Sequence, residues 1–94
     1  MTDFEKKYGY KQYSVNDPQM RIFLDALEYL GVPITERGAY WGGVRNVLLK
    51  NDILDGNLWE TMTFKELSKL SNGGKTYLTI IVVAQQLKRG EIHI

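Results

Sequence analysis

The chain has 94 residues, with 12 Lys and Arg against 11 Asp and Glu, one His, no Cys, 44% hydrophobic residues and a formal charge of +1. That is one globular domain without a disulfide framework, a zinc knuckle or a thiol nucleophile, and its charge excludes both a strongly basic, histone-like binder and an acidic mimic of nucleic acid. A domain this small buries only about 60–65% of its unfolded surface, so a partner or a second copy would add to its stability.

The N-terminus MTDFEKKYGYKQY carries charges and tyrosines but no apolar run, unlike a secretory signal. The longest apolar stretch, Tyr77 to Ala84, is far short of the roughly 18–20 residues that cross a bilayer. A soluble, cytoplasmic protein without a membrane partner is the expectation. No internal repeat or low-complexity run interrupts the chain.

Residues 1–16 read as an N-terminal arm and 17–94 as the folded domain. In the arm Lys6, Lys7 and Lys11 interleave with Phe4, Tyr8, Tyr10 and Tyr13. Such a segment can follow a phosphate backbone and stack on bases, or can simply pack its tyrosines onto the domain. Asp17-Pro18 starts a helix, with Asp17 as cap and Pro18 at the first helical position. Met20, Phe23, Leu27 and Leu30 recur at helical spacing, Gly31 closes the helix in a left-handed cap and Pro33 prevents its restart. Thr35 is the expected cap of a second helix running to Lys50 or Asn51, with Tyr40, Val44, Val47 and Leu48 as its apolar positions. Gly38, Gly42 and Gly43 lie inside it, which requires a break, a ligand-contacting loop at Trp41-Gly42-Gly43, or close packing of another element. Asp55-Gly56 signals a turn, and the alternation of Asn57 to Met62 predicts a short strand.

Thr63-Phe64-Lys65-Glu66 is a capping box, in which the Thr hydroxyl accepts from the Glu66 amide and the Glu66 carboxylate accepts from the Thr63 amide. A short helix with Leu67 and Leu70 inward then ends at Asn72-Gly73-Gly74. The β-branched run at 79–83 suits a strand locally, but the length of Lys75 to Arg89 favours a helix stopped by Gly90. Glu91 to Ile94 reads as a last strand, with Leu58 to Thr61 as its natural partner.

A capped short helix, a three-residue turn and a longer helix make up a helix-turn-helix, and Thr63 to Val83 resembles that of bacterial and phage DNA-binding domains without gaps. Leu67 matches the buried aliphatic of the family's first helix, Ser68 the small residue that lets the helices approach, and Asn72 the left-handed turn position. Leu78 and Ile81 match the two inward positions of the recognition helix. The following LKRGEIHI resembles the entry to the wing of winged-helix domains. The resemblance covers about a quarter to a third of the chain. It implies a mainly α, winged-helix-like fold with a minor two-stranded sheet, and a DNA-binding regulatory or accessory protein acting as a dimer. Gly73 stands where the family has a buried aliphatic, and Ile80 and Val83 fall on the face that should read bases.

Two functions compete for the last helix. In one, Lys75, Thr76, Tyr77 and Thr79 enter the major groove of double-stranded DNA while Lys65, Lys69, Lys88 and Arg89 hold phosphates. The charge placement agrees: residues 60–94 carry +2 and residues 1–59 carry −1. In the other, Tyr77, Ile80, Val83 and Ala84 form an apolar stripe that meets a second copy or a larger protein, as in a non-enzymatic adaptor or inhibitor. The same stripe could instead be buried by the first helix or the arm. Enzymatic chemistry has no support. Gly74-Lys75-Thr76 lacks the earlier Gly of a phosphate-binding loop, since that position is Lys69. His93 has no second His or Cys for a metal site, Asp52 and Asp55 are ordinary turn carboxylates, and Ser68 and Ser71 have no base beside them. Trp41 and Trp59 are expected to be packing residues, and no cofactor is implied.

Overall fold

The computed structural model describes residues 18–93. The arm and the expected Asp17 cap lie outside the described residues, as does Ile94. Within them the fold is mainly helical, as the sequence predicts. A 3-10 turn, Pro18–Met20, runs directly into helix α1, Arg21–Tyr29. Helix α2 spans Ile34–Lys50, a 3-10 segment spans Asp55–Thr61, and the short helix α3, Phe64–Leu67, precedes α4, Lys75–Lys88.

Helix α1 ends as expected. Gly31 has φ +77°, its amide donates to the Glu28 carbonyl, and the Val32 amide donates to the Leu27 carbonyl at 3.0 Å. This pair of bonds is a Schellman motif, which needs a left-handed residue just past the helix. The same bond pattern closes α2, where the left-handed residue is Asp52, and α4, where it is Gly90. Asp52 thus has a backbone role that its carboxylate does not reveal.

Helix α2 differs from expectation at its start. Pro33, in extended conformation, takes the cap position and Ile34 begins the helix, so Thr35 lies inside it. The glycines do not break it, and Trp41-Gly42-Gly43 is continuous helix rather than a loop. A Cβ on Gly43 would overlap the ring of Tyr77 on α4, whereas a Cβ on Gly42 would meet nothing. Close packing explains Gly43 and leaves Gly42 unexplained.

The core joins α1, α2 and α4 over the 3-10 segment. Phe23 and Trp59 meet at 4.7 Å between ring centroids, and both are fully buried together with Leu24, Leu27, Val44, Leu48, Ile81 and Ala84. The Trp41 indole donates to the Met20 carbonyl at 3.1 Å and thereby ties α2 to the start of α1. Both tryptophans are packing residues, as the sequence suggests. The Trp59 indole nitrogen has no acceptor among the described residues, a cost that the burial of its ring must offset.

The expected two-stranded sheet is not formed, and there is no strand among the described residues. Residues 55–61 coil into a 3-10 segment with a left-handed break at Gly56 and Asn57, where the turn was expected. The reason lies on α4. The Gln85 side-chain amide donates to the Trp59 carbonyl at 2.7 Å and to the Met62 carbonyl at 2.8 Å. Arg89 donates to the Glu60 carbonyl at 2.9 Å. Side chains thus satisfy carbonyls that a strand would have offered to a ladder.

Two outcomes follow. Gly42→Ala should stabilise the domain by up to about 1 kcal/mol through helix propensity, and Gly43→Ala should forfeit that gain by displacing Tyr77; chemical denaturation of both variants checks the difference. Gln85→Leu should cost about 1–3 kcal/mol, because the part-buried Met62 carbonyl loses its side-chain donor and the buried Trp59 carbonyl keeps only the longer bond from the Met62 amide, and the same measurement reads it.

Candidate nucleic-acid interface

The segment that resembles a helix-turn-helix begins with the expected capping box. The Glu66 amide donates to the Thr63 hydroxyl at 3.2 Å, and the Thr63 amide donates to the Glu66 carboxylate at 3.0 Å. That amide, then the Thr63 hydroxyl, and more weakly Lys69, hold the Glu66 carboxyl below its ordinary value of 4.5. Leu67 is fully buried, so the cap aims the one inward position of α3 at the core.

The first helix is shorter than the resemblance implies. Regular α3 stops at Leu67, and the chain tightens through i→i+3 bonds from Lys69 to Glu66 and from Leu70 to Leu67. Ser68 does not sit between helices. It is exposed, and its hydroxyl donates to the Lys65 carbonyl at 2.7 Å. Asn72 adopts the left-handed conformation expected of the turn, with φ +61°. A contact that the sequence gave no sign of fixes the turn in space. Asn51, at the end of α2, donates to the Ser71 carbonyl at 3.0 Å and accepts from the Ser71 amide at 3.1 Å.

Beyond the turn, Gly74 begins α4 with no side-chain cap, and the first helical bond runs from the Leu78 amide to the Gly74 carbonyl. The amides of the first turn therefore point outward without an acceptor from the helix itself, at the positive end of its dipole. Lys75 and Thr76 are exposed there, and Lys65 and Lys69 are exposed on the preceding segment. These four side chains and the open amides make the stretch from α3 to the first turn of α4 cationic.

The remaining candidates fall elsewhere. The ring of Tyr77 turns against Gly43 and is half-buried. Thr79 is exposed, but its hydroxyl donates back to the Lys75 carbonyl at 2.8 Å. Lys88 pairs with Glu60 at 3.6 Å, and with Arg89 it lies about 20 Å from Lys75 along the helix, given a rise of about 1.5 Å per residue. Ile80, Val83 and Ala84, which the sequence leaves as either an interface stripe or a face buried by the first helix or the arm, are core residues with 2%, 7% and 0% exposure, so the interface reading of them is corrected. Helix α1 packs over this face, which accounts for their burial without a partner. The outward face of α4 carries Lys75, Thr79, Val82 and Gln86 instead, with Leu78 at its edge; Leu78 and Val82 are half-buried and pack against the core.

Sequence reasoning missed Phe64. It is 65% exposed and, with Leu78 and Val82, lines an open cavity of about 380 Å³. The available signal was an apolar residue at the first position of a helix too short to bury it. No group of His, Asp or Glu among the described residues could hold a metal ion, and no helix among them is long and apolar enough to cross a membrane. Comparison with protein families, with curated proteins and with solved structures returns no match.

The depressed carboxyl makes the cap sensitive to pH. Its contribution is fully present above 4.5 and is lost as pH falls through the lowered folded value. Glu66→Gln keeps an acceptor for the Thr63 amide but cannot titrate. The stability gap between wild type and Glu66→Gln should therefore change only on acidification below 4.5, which denaturation midpoints across pH would show.

Proposed function

We propose that this chain is a non-enzymatic DNA-binding protein, regulatory or accessory in role, that grips the phosphates of double-stranded DNA with the glycine turn and the start of α4. The observation that carries the reading is the uncapped N-terminus of α4 beside Lys75 and Thr76, with Lys65 and Lys69 on the adjoining segment and the carboxylate of that segment, Glu66, committed to Thr63. Backbone amides at a helix start are natural acceptor-seeking donors for a phosphate oxygen, and lysines add the long-range attraction.

Base reading is a smaller part of this proposal than the helix-turn-helix resemblance implies. Val82 on the outward face and Leu78 at its edge offer no hydrogen bond to a base edge, and the Thr79 hydroxyl is already engaged. Lys75 and Thr76 remain as the polar groups able to touch the duplex from α4. One such module makes few contacts, so two copies on one duplex would supply the affinity.

Fluorescence anisotropy on mixed-sequence duplex DNA over a range of salt concentrations tests the reading. Binding should strengthen steeply at low salt, and changing the base sequence should alter it little. Lys65→Ala, Lys69→Ala and Lys75→Ala should each weaken binding and each flatten the log–log salt slope by about 0.9. Undetectable binding at low salt, or a Lys75→Ala variant that binds like wild type, would overturn it.

A further inference from the structure

The cavity between α3 and α4 has no role in gripping phosphate. Phe64 forms one wall, Leu78 and Val82 the other, Val83 part of the floor, and Lys75 and Thr79 the polar rim. At about 380 Å³ it lies at the small end of the range for binding pockets and has room for one or two large apolar side chains. Phe64 is the most exposed large hydrophobic residue of the described chain, and its neighbours across the cavity are themselves partly open to water. An isolated exposed apolar residue needs no explanation, whereas one that faces a second apolar wall across a cavity makes a contiguous patch.

Charge decides between occupants. Lys75 is on the rim, Lys65 follows Phe64 directly in the chain, and among the described residues no acidic one lines the cavity or occurs in α4. Glu66, the one carboxylate of α3, is held by the Thr63 amide. A second copy docking through the same patch about a two-fold axis would bring these lysines against their own counterparts. A DNA groove would meet apolar walls without donors. A partner that places apolar anchors in the cavity and carboxylates at its edge satisfies both features.

We infer that the groove of Phe64, Leu78 and Val82 docks an apolar segment of another protein whose flanking residues are acidic. The natural form is an amphipathic helix laying one apolar face into the groove, with Asp or Glu reaching Lys75. Because Lys75 also belongs to the phosphate-binding end, a docked acidic segment and DNA compete for it. The docking itself depends on Phe64 and does not require that the chain bind DNA.

A random peptide library displayed on phage, selected on the immobilised full chain and in parallel on a Phe64→Ser variant, tests the inference. Phe64 is mostly exposed, so the variant should keep the wild-type circular dichroism spectrum. The expected result is enrichment, on wild type only, of peptides with apolar anchors at helical spacing next to Asp or Glu. A synthetic peptide of the enriched sequence should shift the NMR resonances of Phe64, Leu78 and Val82, bind Phe64→Ser at least about tenfold more weakly, and lose affinity with Lys75→Gln and with added salt. Equal enrichment on the two baits, enriched peptides without carboxylates, or shifts confined to another face would each overturn it. A concentration-dependent dimer in sedimentation that Phe64→Ser dissolves would overturn it as well, by showing that a second copy fills the groove. Duplex binding that survives in Phe64→Ser separates this result from the DNA reading.

Discussion

The rotation of α4 about its own axis is set by what α1 and the 3-10 segment bury, and the surface of the domain follows from that setting. Ile80, Ile81 and Ala84 seal against the core that contains Phe23 and Trp59, while Gln85 on the same side reaches the carbonyls of Trp59 and Met62. A helix that commits positions 80, 81, 84 and 85 inward presents 75, 79, 82 and 86 outward and leaves Leu78, seven residues before Gln85, at the edge between the two faces. The stripe that looked like an interface is therefore the inner face, and the outer face is a mixture of cationic, hydroxyl and aliphatic side chains. The hydrogen bonds from Gln85 make this more specific than apolar burial alone. A rotation of the helix by one position would break both bonds from Gln85 and leave the Trp59 carbonyl only the longer bond from the Met62 amide.

The same setting divides the chemistry of α4 along its length. At its start, an uncapped turn and Lys75 offer positive charge and open amides, while Asn51 holds the preceding turn to the end of α2. At its end, Lys88 pairs with the Glu60 carboxylate, which offsets its charge within the fold, while Arg89 donates to the uncharged Glu60 carbonyl and keeps its own. Surface pairs of this kind contribute little to stability, but they lower the positive potential of the end that carries them. Between these ends lies the apolar wall that Phe64 faces. A cationic end beside an apolar groove, with Lys75 common to both, couples the two proposed activities through one side chain.

Much of the framework was legible from residues a few positions apart. The capping box at Thr63, the left-handed residues at Gly31, Asn72 and Gly90, the turn at Asp55-Gly56 and the helical reading of 75–88 all depend on local geometry, and each is found. The strand expected at 57–62 failed because its alternation was judged without knowledge of what would bind its carbonyls. Gln85 is remote from them in sequence, and nothing in the segment announces it. The same holds for Asn51 and Ser71, and for the tolerance of Gly43, which is explained only by the ring of Tyr77.

The sequence by itself determined that this is a small, mainly helical, cysteine-free domain, and where α1, α2 and α4 end, because caps and glycines act over one or two turns. Tertiary structure alone decided which face of α4 is core, since a helix rich in Ile and Val on several sides carries no single apolar stripe to orient it. That decision required the packing of α1 and the hydrogen bonds of Gln85. It moved Ile80, Val83 and Ala84 from candidate interface to core, and it left Phe64, Leu78 and Val82 at the surface.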